Sequence, residues 1–141
     1  MKLYLAILIV FLISMGILSQ SGCKDKNNTL LPGESPSTVL FPTRNVSYGV
    51  HVQTLFNQAC AFSPCHDDGT HAGGLSLTSY YNTVFAVPGI VVSGNPQNSI
   101  LVMKIEGRGP AGDRMPPGTN ALNQNQIDGI RTWIAEGAQN N

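Results

Sequence analysis

Apolar residues fall into distinct regimes along the chain. From residue 3 to residue 18 they run almost unbroken, interrupted by Ser14 and Gly16. That run is slightly long for the core of a signal peptide and short of the ~18–20 residues a membrane-spanning helix needs. Residues 24–43 (KDKNNTLLPGESPSTVLFPT) lose all order: Asn, Ser, Thr, Pro and Gly dominate with no sustained period, which predicts a largely disordered tether. Helical spacing then takes over. Val52, Leu55, Phe56 and Ala59 share one face of a helix leading directly into Cys60. Residues 79–86 (SYYNTVFA) predict a short helix. Asn95 and Pro96 suit an N-cap and first-turn proline ahead of SILVMKI at residues 99–105. Asn123 and Gln126 make a capping-box-like pair before Ile127, Ile130 and Ile134, with Trp133 beside them and Gly137 as the stop. Turn-rich loops, DDGTHAGG and GRGPAGDRMPPGTN, separate these segments. No period-two alternation recurs, so the predicted class is all-α, a small domain of about four helices.

Composition changes the picture at the N-terminus. Met1 and Lys2 give the apolar run a short positive start, and Ser19-Gln20-Ser21-Gly22-Cys23 ends it. Small residues before a cysteine resemble a bacterial lipobox, where a peptidase cuts ahead of a cysteine that carries acyl chains. Gln20 stands where that pattern prefers a leucine-like residue. An ordinary cleaved signal peptide and an uncleaved anchor are the alternatives, and either leaves Cys23 an odd thiol in an oxidising compartment. All three readings imply export, to the periplasm or the cell surface. The expected organisation is a signal peptide at 1–22, a flexible tether at 23–44 starting from a lipidated Cys23, and a folded domain at 45–141. Cut before Cys23, the chain keeps seven Lys and Arg (eight less Lys2) against eight Asp and Glu. A balance near −1 lacks the basic face that a nucleic-acid partner requires. A folded part of roughly 95 residues buries a modest core, so a large apolar group would serve it as packing material.

Candidate chemistry concentrates in Cys60-Ala-Phe-Ser-Pro-Cys65-His66. Four residues separate the cysteines, where the usual haem-attachment signal has two. A haem held by two thioethers needs two sulfurs that reach its vinyl groups and a histidine just beyond, and Cys65-His66 supplies that adjacency. Pro64 restricts the longer loop and helps fold the extra residues outward. A Cys60–Cys65 disulfide is the alternative; zinc is poorer, since two cysteines and one histidine leave a fourth ligand unaccounted for. For the opposite axial position the candidates are Met103, Met115, His51 and His71. Met103 sits in an apolar helical run and reads as core filling. His71 follows His66 too closely to round a haem edge, and His51 reads as a polar residue of the first helix. Met115, in DRMPPG, comes 49 residues after His66, far enough to wrap around. Pro116 and Pro117 stiffen the backbone there and remove two amide donors, which suits a ligand held against an apolar ring. Asp67, Asp68 and Asp113 read as solvated loop acids, and Trp133 as core against the first helix.

Taken together, LFNQACAFSPCHDDGTHAGGLSL, SGNPQNSILVMKI, RMPPG and LNQNQIDGIRTWIAEGA resemble the cytochrome c-like domains of exported bacterial proteins, the planctomycete type among them. The resemblance spans roughly residues 50–138. It implies an all-α domain wrapped around one covalently attached haem c, with His66 as proximal and Met115 as distal iron ligand, and with the first and last helices crossing. The expectation that follows is a lipid-anchored, monohaem electron carrier, not an enzyme, held at a membrane by Cys23 and serving redox partner proteins. Two alternatives stay open: a haem enzyme or gas sensor with a displaceable Met115, and a haem-free module stapled by Cys60 and Cys65.

Overall fold

The computed structural model describes residues 35–109 and 112–141. Ser47 opens the first helical segment: its hydroxyl accepts from the Val50 N–H and caps a π-helical turn, Tyr48–Val52. That turn runs straight into α1 (Gln53–Ala59). Val52, Leu55, Phe56 and Ala59 are all buried, as their spacing predicts. A shorter helix, α2 (Tyr80–Val84), is capped by the Ser79 side chain. Asn95 caps a 3-10 turn, Pro96–Asn98, and α3 (Ile100–Ile105) follows it. The final helix, α4 (Gln124–Ala135), carries the full capping box: Asn123 accepts from the Gln126 N–H at 3.0 Å, and Gln126 accepts from the Asn123 N–H at 3.1 Å. Gly137 ends it with φ 104°, a backbone angle that glycine adopts without penalty. Helices and turns make up the described residues, with no strand, so the class is all-α.

One core joins these elements. Trp133 on α4 packs on the first helical segment through Tyr48, ring centroids 5.4 Å apart, and its indole N–H donates to the Gln139 carbonyl. Tyr48 in turn meets the edge of Tyr80 on α2 at 5.1 Å. Leu101, Val102 and Ile105 bring α3 into the same cluster with Ile130 and Ile134.

The domain begins before residue 45, so the expected tether over 23–44 needs correction at its end. Phe41 is buried on the backbone of α4 at Gly129, where a Cβ would come within 2.4 Å of three Phe41 atoms. The Phe41 N–H donates to the Asn125 Oδ1 at 2.8 Å, and the Phe41 carbonyl accepts from the Asn125 Nδ2 at 2.9 Å. Fully buried Gln126 donates to the Ser37 carbonyl, and the Ser37 hydroxyl donates to Gln58 on α1. This segment has no period because side-chain amides of α4 hold it, in place of a ladder of its own. Residues 1–34, including the apolar leader and Cys23, lie outside the described residues. Among the described residues no helix is long and apolar enough to cross a membrane.

Candidate cofactor site

Helix α1 ends by delivering Cys60, whose N–H still reaches the Phe56 carbonyl at 2.8 Å while its own φ swings to −139°. The chain then bulges. Phe62, Ser63 and Pro64 are exposed, the Cys65 N–H donates to the Phe62 carbonyl at 2.6 Å, and the His66 N–H returns to the Cys60 carbonyl at 3.0 Å. The two residues beyond the usual spacing are thereby absorbed in an outward turn. Cys60 and His66 are tied back to back by one hydrogen bond.

His66 is fixed from three sides. Its carbonyl accepts from the Leu77 N–H at 2.9 Å, and its ring Nδ1 lies 3.2 Å from the Leu75 carbonyl. A carbonyl oxygen only accepts, so this contact assigns a proton to Nδ1, and in the neutral ring Nε2 is then the acceptor nitrogen. The segment that supplies Leu75 turns through Gly73 and Gly74, whose φ values of 64° and 77° favour glycine.

Two adjoining cavities meet at this histidine. The first, about 320 Å³, is walled by apolar side chains, among them Phe56, Leu77, Ile90, Leu101, Ile105 and Ile130, and Cys60, His66 and Met115 line it as well. The second, about 220 Å³, is lined by Cys60, Cys65, His66 and Met115 with Pro64, Pro116 and Pro117. Cys60, His66 and Met115 line both cavities, and Cys65 lines the second. An apolar cavity with a few convergent polar groups is a candidate ligand site. Two thiols, an imidazole with one nitrogen already bonded and a thioether fit a flat apolar cofactor with a metal at its centre, which is what a covalently held haem requires.

Met115 reaches the region because its N–H donates to the Lys104 carbonyl at 3.0 Å, pinning the loop to α3. The other axial candidates are elsewhere. His51 sits in the π-helical turn with its Nδ1 accepting from the Ser47 N–H, and its ring lies 5.8 Å from Phe41. His71 is exposed, at the left-handed φ of 45°. Met103, expected to fill the core, is half-buried and belongs to neither the core cluster nor the cavity lining. The cavity takes Ile100, Leu101, Lys104 and Ile105 from α3, a face that leaves Met103 to one side.

Asp68 is an exposed loop acid, as read from the sequence, and it also ties the loop together: the hydroxyls of Thr78 and Ser76 each donate to it at 2.7 Å and hold its carboxyl below the usual range. Asp67 is held low by the Thr70 side chain and backbone N–H. Both brace the loop behind His66.

Cys60 and Cys65 are free thiols. Burial among apolar side chains pushes the Cys60 thiol from 9.0 up to about 12, and the neighbouring Cys65 adds to the rise. Among the described residues no group of three or more His, Cys, Asp and Glu side chains is placed to hold a bare metal ion. Sequence reading missed two contributors. Lys104 shares a helical face with Leu101 at i+3, a signal the apolar pattern discounts because of its charge, although its stem lines the cavity. The Leu75 carbonyl carries no sequence signal at all. No protein-family model matches this chain, and no curated protein or solved structure matches it either.

Proposed function

We propose that this chain is an exported monohaem c-type cytochrome that carries single electrons. The observation that carries the reading is the convergence of Cys60, His66 and Met115 on one apolar cavity, with Cys65 joining the same three around its neighbour. In this reading Cys60 and Cys65 become thioethers. Cys60 and Cys65 would hold the haem, each S–H adding across one vinyl double bond, an addition that would need neither a leaving group nor an oxidant. His66, with Nδ1 facing the Leu75 carbonyl, would hold the iron through Nε2, and Met115 would hold it through its sulfur. Bound haem supplies a reversible ferric–ferrous couple. Phe56, Leu101 and Ile130 exclude water from it, and the thioether of Met115 favours a higher potential than a second imidazole would. Held by His66 and Met115 together, the iron would have no open position for a substrate, which favours a carrier over an enzyme, with other redox proteins as its partners.

An absorption spectrum of the denatured protein in alkaline pyridine tests this directly. Protein made with haem-maturation machinery should give the spectrum of a haem with two saturated vinyls, and Cys60→Ala or Cys65→Ala should give that of one. Absence of a Soret band in such protein would favour the haem-free module instead. The anchor is a separate claim, resting on the apolar leader that ends in Ser21-Gly22-Cys23. Mass spectrometry of the native N-terminus should find a diacyl or triacyl cysteine, which holds a membrane far better than one chain. A mature protein that starts at any other residue defeats it.

A further inference from the structure

We infer that Arg114 is a positioning residue for Met115, clasping the ligand loop through two of its carbonyls. Its Nη1 donates to the Met115 carbonyl at 3.4 Å and its Nη2 to the Thr119 carbonyl at 3.2 Å. One guanidinium therefore spans the whole Met115-Pro116-Pro117-Gly118-Thr119 turn. The stem of Arg114 lies along Gly107 at the end of α3, where an added Cβ would sit 3.5 Å from its Cβ, Cγ and Cδ. From the other side Lys104 accepts from the Met115 N–H at 3.0 Å, and its Nζ donates to the Asp113 carbonyl at 3.3 Å.

The physical need for such a clasp follows from the loop's composition. Pro116 and Pro117 remove two amide donors, so the turn is poor in the backbone hydrogen bonds that would close it on itself. Its carbonyls need donors from outside. A planar guanidinium presents several N–H groups in a fixed fork and serves two carbonyls at once, whereas a lysine ammonium on a flexible stem is a point charge without that fork. Arg114 thereby holds closed the turn that presents the Met115 sulfur to the cavity.

The inference rests on the cytochrome reading, and its test separates the two. Arg114→Ala removes clasp and charge; Arg114→Lys keeps the charge and removes the fork. Native protein and both variants are made with haem-maturation machinery and compared by pyridine spectrum, by the weak far-red band of a methionine–iron bond, and by the rate at which the ferrous protein binds carbon monoxide. Both variants should carry haem with two saturated vinyls. Both should bind carbon monoxide faster than native by roughly tenfold, the size expected from losing one or two hydrogen bonds, and should lose the far-red band at a lower temperature. An Arg114→Lys protein indistinguishable from native would reduce the role to charge and overturn the clasp, as would two variants that both behave as native. Variants that lose haem altogether would show Arg114 sustaining the fold, which also overturns a positioning role. A native protein without haem, or without the far-red band, would instead sink the cytochrome reading and the clasp with it.

Discussion

Met115 and Met103 are both half-buried, yet only Met115 borders the cavity that Cys60 and His66 share. Their substitutions should accordingly diverge. Met115→Ala should abolish the far-red band of the oxidised protein, lower the reduction potential and open the iron to cyanide or carbon monoxide. Met103→Ala should leave spectrum and potential unchanged, and should cost less than the ~2–5 kcal/mol of a buried methionine truncation. Absorption and potentiometric titration of the two variants decide it; a far-red band that survives in Met115→Ala and vanishes in Met103→Ala would reverse the assignment. Cys60 offers a test at the same scale in protein made without haem. Its thiol is held protonated up to about 12, while in the unfolded chain it ionises near 9.0. Between those values the unfolded chain has released a proton that the folded chain keeps, so stability is full below about pH 9 and drains away toward pH 12. The slope attributable to Cys60 is at most ~1.4 kcal/mol per pH unit. Urea unfolding across pH 8–11 should show a steeper fall in the haem-free native chain than in Cys60→Ala. Equal slopes would place the thiol in water.

Among the elements, α4 does two jobs, and two substitutions separate them. Asn123→Ala removes half of the capping box and should lower unfolding stability by about 1 kcal/mol without disturbing the cavity. Gly129→Ala would normally favour a helix by roughly 1 kcal/mol. Here the added Cβ would fall 2.1 Å from the Phe41 Cγ, so the ring or the helix must shift, and the net change should be a loss of about 1–3 kcal/mol. The damage should also be local: residues 35–44 should become open to protease before the rest of the domain. Denaturant melts with limited proteolysis check both, and a stabilised Gly129→Ala would mean that Phe41 does not rest on α4.

At the scale of the molecule, the folded unit includes a segment that looks like linker. A chain starting at residue 45 keeps all four helices but loses Phe41 from the core and the partners of Asn125 and Gln126. It should be less stable than one starting at residue 35 by ~3–5 kcal/mol, the size of a large aromatic truncation in a core. Thermal and urea unfolding of the two chains measure the difference. Equal stability would restore the simple tether. Further electrostatic support comes from Glu106 at the end of α3, which pairs with Arg108 and with Arg131 of α4; burial alone would raise its carboxyl, but the two guanidinium hydrogen bonds outweigh that and hold it low.

Periodic features were legible from the chain alone. The buried face of α1, the Asn95 cap, the capping box of α4 and its glycine stop all depend on residues within a turn or two of each other, and local sequence carries local geometry. The cysteine pair, His66 and Met115 were legible as donor types for the same reason: chemistry belongs to side chains. Their convergence was an expectation from chain length and resemblance, and the contacts that produce it were not legible. Met115 borders the cavity that His66 lines with its amide bonded to the Lys104 carbonyl on α3, and the Leu75 carbonyl faces the His66 Nδ1. Phe41 left no period at all, since its place depends on a glycine on a helix more than eighty residues away. Backbone carbonyls, close approaches and aperiodic segments act through space between distant parts of the chain, and only tertiary packing brings those parts together.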